Sequence, residues 1–184
     1  MSKKTQQLLQ LLQEQYPHPD CAFIAEFMGA TGASAGGAAD AIAMHCWPSK
    51  GLELIGFELK TSRSDWLREL KQPWKAEPIK KFCDRWYLVT SEDYHIARTE
   101  EIPKDWGYMY QDYTGKLLTK KEAPKLSPVP VDRLFLASLM RLASKPFDEV
   151  LIEGRKYIVA NPTSQPHPND QTHRTTSKRK PRNV

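Results

Sequence analysis

The chain has few cysteines and no long apolar run, and both shortages narrow the class of protein. Its three cysteines, Cys21, Cys46 and Cys83, are far apart, odd in number and without a CxxC pair. This spacing argues against a disulfide framework or a zinc site and favours a reducing compartment, the cytoplasm. No run of about 18 uncharged apolar residues is present, so we expect no membrane span. The N-terminal segment also lacks the apolar region of a signal peptide.

Net positive charge is small over most of the chain and concentrated at its C-terminus. Of the formal net charge of +5, residues 161–184 carry +4, and residues 1–160 carry only +1. The C-terminal segment is rich in Pro, Ser, Thr and Asn without apolar periodicity, which predicts a disordered tail. We therefore expect one folded domain over 1–160 and a basic tail over 161–184. The tail either contacts phosphates or keeps the protein soluble.

Two common nucleotide-binding patterns are absent from the glycine-rich segment GATGASAGG, residues 29–37. No GK[ST] follows it, as a P-loop requires, and the dinucleotide-binding pattern GxGxxG is missing. The segment predicts a mobile loop beside a site rather than a phosphate cradle.

Apolar periodicity predicts helices packed on a mixed sheet. Helices are expected from Lys3 to the turn at Pro17, after the N-cap candidates Thr61, Ser62 and Ser64, and over 131–145. A short helix is expected over 75–84. Strands are expected over 21–28, 40–47, 52–60 and 85–90, with a hairpin over 107–121 and either a second hairpin or an extension over 148–160. This order predicts an α/β (α+β) fold with helices flanking a mixed central sheet.

The segment LELIGFELK, residues 52–60, carries the chemistry. Alternation along a strand places Ile55, Phe57 and Leu59 on one face, and Glu58 with Lys60 on the other. Asp40 begins the preceding strand, whose start lies beside the end of an antiparallel neighbour. We therefore expect two carboxylates and an ammonium to converge at one edge of the sheet. A lone pair of this type on a half-exposed strand is usually ordinary surface.

Such a cluster suits metal-assisted phosphodiester hydrolysis. Asp40, Glu58 and the backbone carbonyl of Leu59 supply the hard oxygen ligands that Mg²⁺ prefers, and Mn²⁺ is an alternative. Lys60 can orient or deprotonate a water and offset the negative charge of the transition state.

Residues 38–90, with weaker similarity over 20–142, resemble the core of the PD-(D/E)xK nuclease superfamily, especially short members from phages and prophages. The resemblance implies a restriction-endonuclease-like fold and a catalytic signature of Asp40, Glu58 and Lys60. Many members use a further upstream acid, for which Glu26 is the candidate metal ligand and Glu14 the competitor. The loop before Asp40 carries no charge, whereas similar proteins often have basic residues there, which puts substrate affinity in question. Ala39 stands in place of the proline of the signature, a replacement that is common in the superfamily.

Contacts to nucleic acid are expected from basic and aromatic residues that follow Lys60. Arg63, Lys71 and Lys75 are the candidate phosphate contacts. The tryptophans Trp66, Trp74 and Trp86 are candidates for base stacking, although Trp66 and Trp86 fit a core better.

The leading hypothesis is a Mg²⁺- or Mn²⁺-dependent deoxyribonuclease encoded by a phage or mobile element. The alternative is a non-catalytic module on the same fold that binds nucleic acid or a host factor. A homodimer and a host or phage protein partner are open alternatives, and the sequence does not distinguish endonuclease from exonuclease.

Overall fold

The computed structural model describes residues 1–29, 37–91, 95–143, 147–152 and 155–160. The glycine-rich segment falls largely outside these ranges, and the tail of 161–184 lies wholly outside them. The chain separates into two compact units, Met1–Leu142 and Ala143–Val184. No helix within the described ranges is long and apolar enough to cross a membrane.

A six-stranded mixed sheet forms the centre of the first unit. Its strands lie in the order β1 to β6, with β3, β4 and β5 parallel to one another and the remaining neighbours antiparallel. The elements are α1 (Lys3–Gln15), β1 (Cys21–Met28), β2 (Ala38–His45), β3 (Leu54–Lys60), α2 (Arg63–Leu70), α3 (Glu77–Lys80), β4 (Arg85–Thr90), β5 (Gly107–Gln111), β6 (Leu117–Lys121) and α4 (Arg133–Ala143). The predicted mixed α/β fold is confirmed.

Of the two alternatives expected for residues 148–160, a hairpin or an extension, the second unit contains the hairpin. Its strands β7 (Phe147–Ile152) and β8 (Arg155–Ala160) pair antiparallel as a two-stranded sheet. The sequence grouped these strands with the folded domain over 1–160, whereas the structure separates them from residues 1–142.

Both faces of the large sheet are covered by apolar side chains. On one face, Leu8 and Leu12 of α1 pack in a cluster with Ile55, Phe57 and Leu59, the three residues that alternation placed together. The opposite face packs against the other helices, with a cluster that includes Trp66 of α2, Ile79 of α3, Trp86 of β4 and Phe135 of α4. Glu58 and Lys60 therefore project to the face that α2 covers, as the alternation predicted.

The start of α2 fixes the segment that follows Lys60. Among the three candidate N-caps, Ser62 caps this helix, since its Oγ accepts a hydrogen bond from Asp65 N at 3.2 Å. A hydroxyl at this position satisfies one of the backbone amides that the first turn leaves unpaired. The cap thus begins α2 three residues after Lys60.

Close packing of β3 against β4 requires a glycine at position 56. Gly56 is the parallel partner of Trp86, and a Cβ built on it would lie 2.3 Å from two carbons of the Trp86 ring. Trp86 is fully buried and has no room to withdraw. We expect Gly56→Ala to lower the free energy of unfolding by about 2 to 3 kcal/mol through overpacking, measured by urea denaturation.

The matched control for this substitution is Gly51→Ala. Gly51 has a φ of +79°, and its nearest neighbour to a built Cβ is Glu53 Cγ at 3.6 Å. Backbone strain alone should cost about 1 kcal/mol there. Equal losses in the two variants would contradict the steric role of Gly56.

Candidate functional site

Strands β2 and β3 part at the position of Asp40. Their backbone pairing ends with Ala41 opposite Phe57. Beyond this pair, Leu59 N donates to Asp40 Oδ2 at 2.7 Å. A side-chain carboxylate thus accepts the hydrogen bond that a backbone carbonyl of β2 would take in a continued ladder. Asp40 is thereby held beside Glu58 and Lys60, where the sequence placed it.

Lys60 lies between two carboxylates. Its Nζ forms ion pairs with Glu58 Oε1 and with Glu69 Oε2, the latter at 3.1 Å. The three side chains are each only 13% exposed. With Asp40 nearby, three carboxylates share one ammonium in a poorly hydrated place.

Burial and the excess of negative charge raise the affinity of this cluster for protons. Burial, assisted by Asp40 and Glu69, raises the pKa of Glu58 to about 7 although Lys60 opposes the change. Burial also raises the pKa of Asp40 against the opposing effects of the Leu59 N–H and Lys60. Burial lowers the pKa of Lys60, but Glu58 and Glu69 outweigh it and the net pKa is raised. The site is therefore suited to take up a cation.

The carboxylates open onto a cavity of about 420 Å³. Its lining combines acidic side chains with an aromatic ring, a lysine and small residues: Gly37, Ala38, Asp40, Glu58, Glu69, Trp74, Lys75 and Pro78. A ligand that enters it meets both the charged cluster and an exposed indole.

Glu69 is the site residue that the sequence analysis missed. It lies on α2 three residues after the buried Trp66 and directly before the half-buried Leu70. Residues three and four apart share a helix face, so Glu69 faces the sheet with Trp66 and Leu70. The sequence did contain a signal for this residue, because a carboxylate on the core-facing side of a predicted helix is unusual and indicates a site.

The two candidates for the upstream acid lie in different places. Glu26 of β1 falls between the pairs Ala25–Ala41 and Phe27–Ala39, which places it opposite Asp40, and its charge contributes to the raised pKa of Asp40. Its φ is +53°, which interrupts the strand locally, and its side chain is exposed. Glu14 lines a separate cavity with Leu117. Proximity therefore favours Glu26.

The donor chemistry of the cluster fits a small divalent cation. Asp40 and Glu58 offer carboxylate oxygens at one cavity, and on a strand the carbonyl of Leu59 points to the same side as its N–H, toward Asp40. Across the described residues, no three His, Cys, Asp or Glu side chains converge as a ready-made metal cluster. A cation would thus rely on two carboxylates, the carbonyl and water. His45 ends β2 and Cys46 follows it, at the opposite end of the strand from Asp40. Lone cysteines usually pack in a core, but Cys46 is exposed, and His45 Nδ1 contacts the buried Cys21 Sγ at 3.2 Å.

The residues predicted to contact nucleic acid differ in their exposure and in the contacts that they make within the protein. Arg63 forms a two-pronged ion pair with Glu101 and donates to the carbonyl of Ile96 at 3.0 Å. Lys71 and Lys75 are exposed, and Lys75 also lines the cavity. Their contacts with nucleic acid stay predictions.

Comparison with known proteins supports the fold and leaves the function open. No family model and no curated protein matches the chain. Among solved structures, the chain is similar to a protein of unknown function from Silicibacter pomeroyi, with a TM-score of 0.55 and 20% identity. The match covers 78% of this chain and 86% of that one.

The raised pKa of Glu58 predicts a pH-dependent stability. The folded pKa is about 7 and the ordinary value is 4.5, so the favourable contribution is complete below about pH 4.5 and is lost as the pH rises through about 7. In EDTA, we expect the free energy of unfolding to fall by on the order of 2 kcal/mol from this group between about pH 5 and pH 8. Urea titrations across this range measure the fall.

Glu58→Gln provides the comparison, because glutamine is of similar size and does not titrate. The variant should show a flatter dependence of stability on pH than the natural chain. Parallel curves for the two proteins would contradict the assignment of the raised pKa to Glu58.

Proposed function

We propose that the chain is a metal-dependent deoxyribonuclease that hydrolyses phosphodiester bonds in DNA. The observation that carries the proposal is that Asp40 and Glu58 line one cavity at the point where β2 and β3 part, and that Lys60 is ion-paired to Glu58 beside it. Two hard carboxylates and one ammonium match the needs of phosphodiester hydrolysis. The resemblance of residues 38–90 to PD-(D/E)xK nucleases adds the expectation of this chemistry, in a phage- or mobile-element-encoded protein acting in the cytoplasm.

Asp40 and Glu58, with the carbonyl of Leu59, would hold Mg²⁺ or Mn²⁺, and Glu26 would add an outer acidic group. When bound, the metal supplies a water of lowered pKa and stabilises charge on the phosphate. Lys60, whose raised pKa keeps it an ammonium, donates a hydrogen bond that orients the attacking water. Its positive charge also offsets the negative charge that develops on the phosphate oxygens.

Glu69 provides a second partner for Lys60, which is needed because a bound metal ion would compete with Lys60 for Glu58. A metal ion and Lys60 both require the Glu58 carboxylate, so Glu58 must loosen its hold on Lys60 when it binds metal. Glu69 Oε2 already lies 3.1 Å from Lys60 Nζ. Glu69 therefore keeps the ammonium beside the cavity while Glu58 serves as a ligand.

The charge distribution favours one second candidate, a non-catalytic nucleic-acid-binding module. Residues 161–184 carry +4 of the net charge of +5. Phosphate binding could then belong to the tail alone, with the carboxylate cluster inactive. A cleavage experiment separates this candidate from the nuclease.

We expect purified protein to cleave DNA with Mg²⁺ or Mn²⁺ and to be inactive in EDTA. Single-stranded circles, linear duplex, branched DNA and RNA are the substrates, and product length on denaturing gels is the measurement. Asp40→Asn, Glu58→Gln and Lys60→Ala should each lower the cleavage rate by at least about 100-fold, because each removes a group that binds metal or stabilises charge.

Glu53→Gln is the matched control for these variants. Glu53 directly precedes β3 and forms ion pairs with Arg85 and Lys125. It is therefore also a paired carboxylate, but it lies at the opposite end of β3 from Lys60. Its loss should leave the cleavage rate within about threefold. DNA binding that persists in all variants, without cleavage of any substrate, would favour the binding module.

The role of the tail is tested through the salt dependence of DNA binding. Replacing Lys178, Arg179, Lys180 and Arg182 by glutamine in the full-length chain removes four charges. If these residues contact phosphates, the slope of log affinity against log salt concentration should become shallower by about 3 for single strands. Fluorescence anisotropy at several salt concentrations measures the slope, and an unchanged slope would assign the tail to solubility.

A further inference from the structure

The tryptophans of the first unit differ sharply in exposure. Trp66 and Trp86 are fully buried and Trp106 is 2% exposed, so these indoles belong to the core. Trp47 is 49% exposed, and its Nε1 donates to Asp20 Oδ1 at 3.1 Å. Trp74 is the most exposed of the five at 63%. An exposed aromatic ring alone needs no explanation, so the position of Trp74 decides whether it has a role.

Trp74 lies at the candidate catalytic cavity. It belongs to a 3₁₀ turn, Pro73–Lys75, which begins three residues after the end of α2, and it lines the cavity together with Asp40 and Glu58. Core packing does not account for this position, because Trp74 is 63% exposed. The ring therefore offers a flat apolar face within the same space as the carboxylates.

The wall around Trp74 is closely packed. Gly37 has a φ of +79°, and a Cβ built on it would lie 2.8 Å from Pro78 Cβ and 3.4 Å from the carbonyl of Lys75. The start of β2 and the segment that carries Trp74 are thus in contact through a residue without a side chain. The turn is held against the strand that supplies Asp40.

We propose that Trp74 stacks on an unpaired base of single-stranded DNA while the adjoining phosphate meets the divalent cation that Asp40 and Glu58 would hold. The inference rests on the proposed nuclease function and adds its substrate class. A cavity of about 420 Å³ has the size of a small-ligand site and suits one nucleotide rather than a duplex. Lys75, exposed beside Trp74, supplies a cation for the neighbouring phosphate.

Stacking on Trp74 discriminates between single strands and duplex. Every base has a π-face, so an exposed indole binds unpaired bases with little regard to sequence. In duplex DNA the bases already stack on their neighbours, and one must be extruded before it can meet the ring. A single strand, an overhang or a frayed end therefore fits this cavity better than intact duplex.

The test measures binding separately from cleavage. Full-length protein carrying Glu58→Gln is titrated in EDTA against a labelled single strand of about 12 nucleotides and against a blunt duplex of that strand with its complement. We expect Trp74→Ala to weaken single-strand binding by about 5- to 100-fold and to leave duplex binding unchanged. Trp74→Tyr should restore most of the affinity, and Trp74→Leu should not, because leucine lacks a π-face.

Trp47→Ala is the matched control, since it removes another exposed indole outside the cavity. It should leave binding of both DNAs unchanged, and thermal unfolding verifies that each variant is folded. Wild-type affinity for the single strand in Trp74→Ala would overturn the inference, as would equal losses for single strand and duplex.

The outcome also separates this inference from the proposed function. Metal-dependent cleavage that is indifferent to Trp74 would retain the nuclease and remove the stacking role. Single-strand binding that depends on Trp74, with no cleavage of any DNA by the natural chain, would retain the stacking site and remove the nuclease.

Discussion

The hydrogen bond from Leu59 N to Asp40 Oδ2 is the interaction on which the site depends. A strand amide left unpaired in a poorly hydrated place is costly, so β3 needs an acceptor where the backbone of β2 departs. The Asp40 carboxylate provides it and is itself fixed in return. One contact therefore ends the hairpin pairing, opens the space between the strands and holds a carboxylate beside Glu58 and Lys60.

Much of this arrangement could be predicted because it follows from local periodicity. Alternation along β3 decides the faces of Glu58 and Lys60, and antiparallel pairing decides which end of β2 meets them. The Glu101 partner of Arg63 was not predictable in this way, since it lies 38 residues away and depends on the path of an irregular segment. Glu69 depends on how α2 crosses the sheet, which no short-range pattern specifies.

The charge of the cluster is better explained by chemistry than by stability. Buried ion pairs seldom stabilise a fold more than apolar side chains of similar size would, because desolvation offsets their attraction. Three carboxylates around one ammonium are less favourable still, and the raised pKa of Glu58 reflects this cost. A divalent cation would relieve the repulsion among these carboxylates. The cluster is therefore better explained as a binding site than as an element that stabilises the fold.

The buried tryptophan rings connect the packing of the core to the position of the site. The rings of Trp66 and Trp86 both lie against Trp106, with centroid distances of 6.3 and 5.9 Å, and Gly56 lets Trp86 lie directly on β3. Trp66 thereby seats α2 on the sheet, and Glu69 follows it by less than one helical turn. The aromatic cluster thus sets the position of the carboxylate that holds Lys60. Trp74, which follows α2 after Pro73, lies outside this cluster, so its exposed ring is free to serve a ligand.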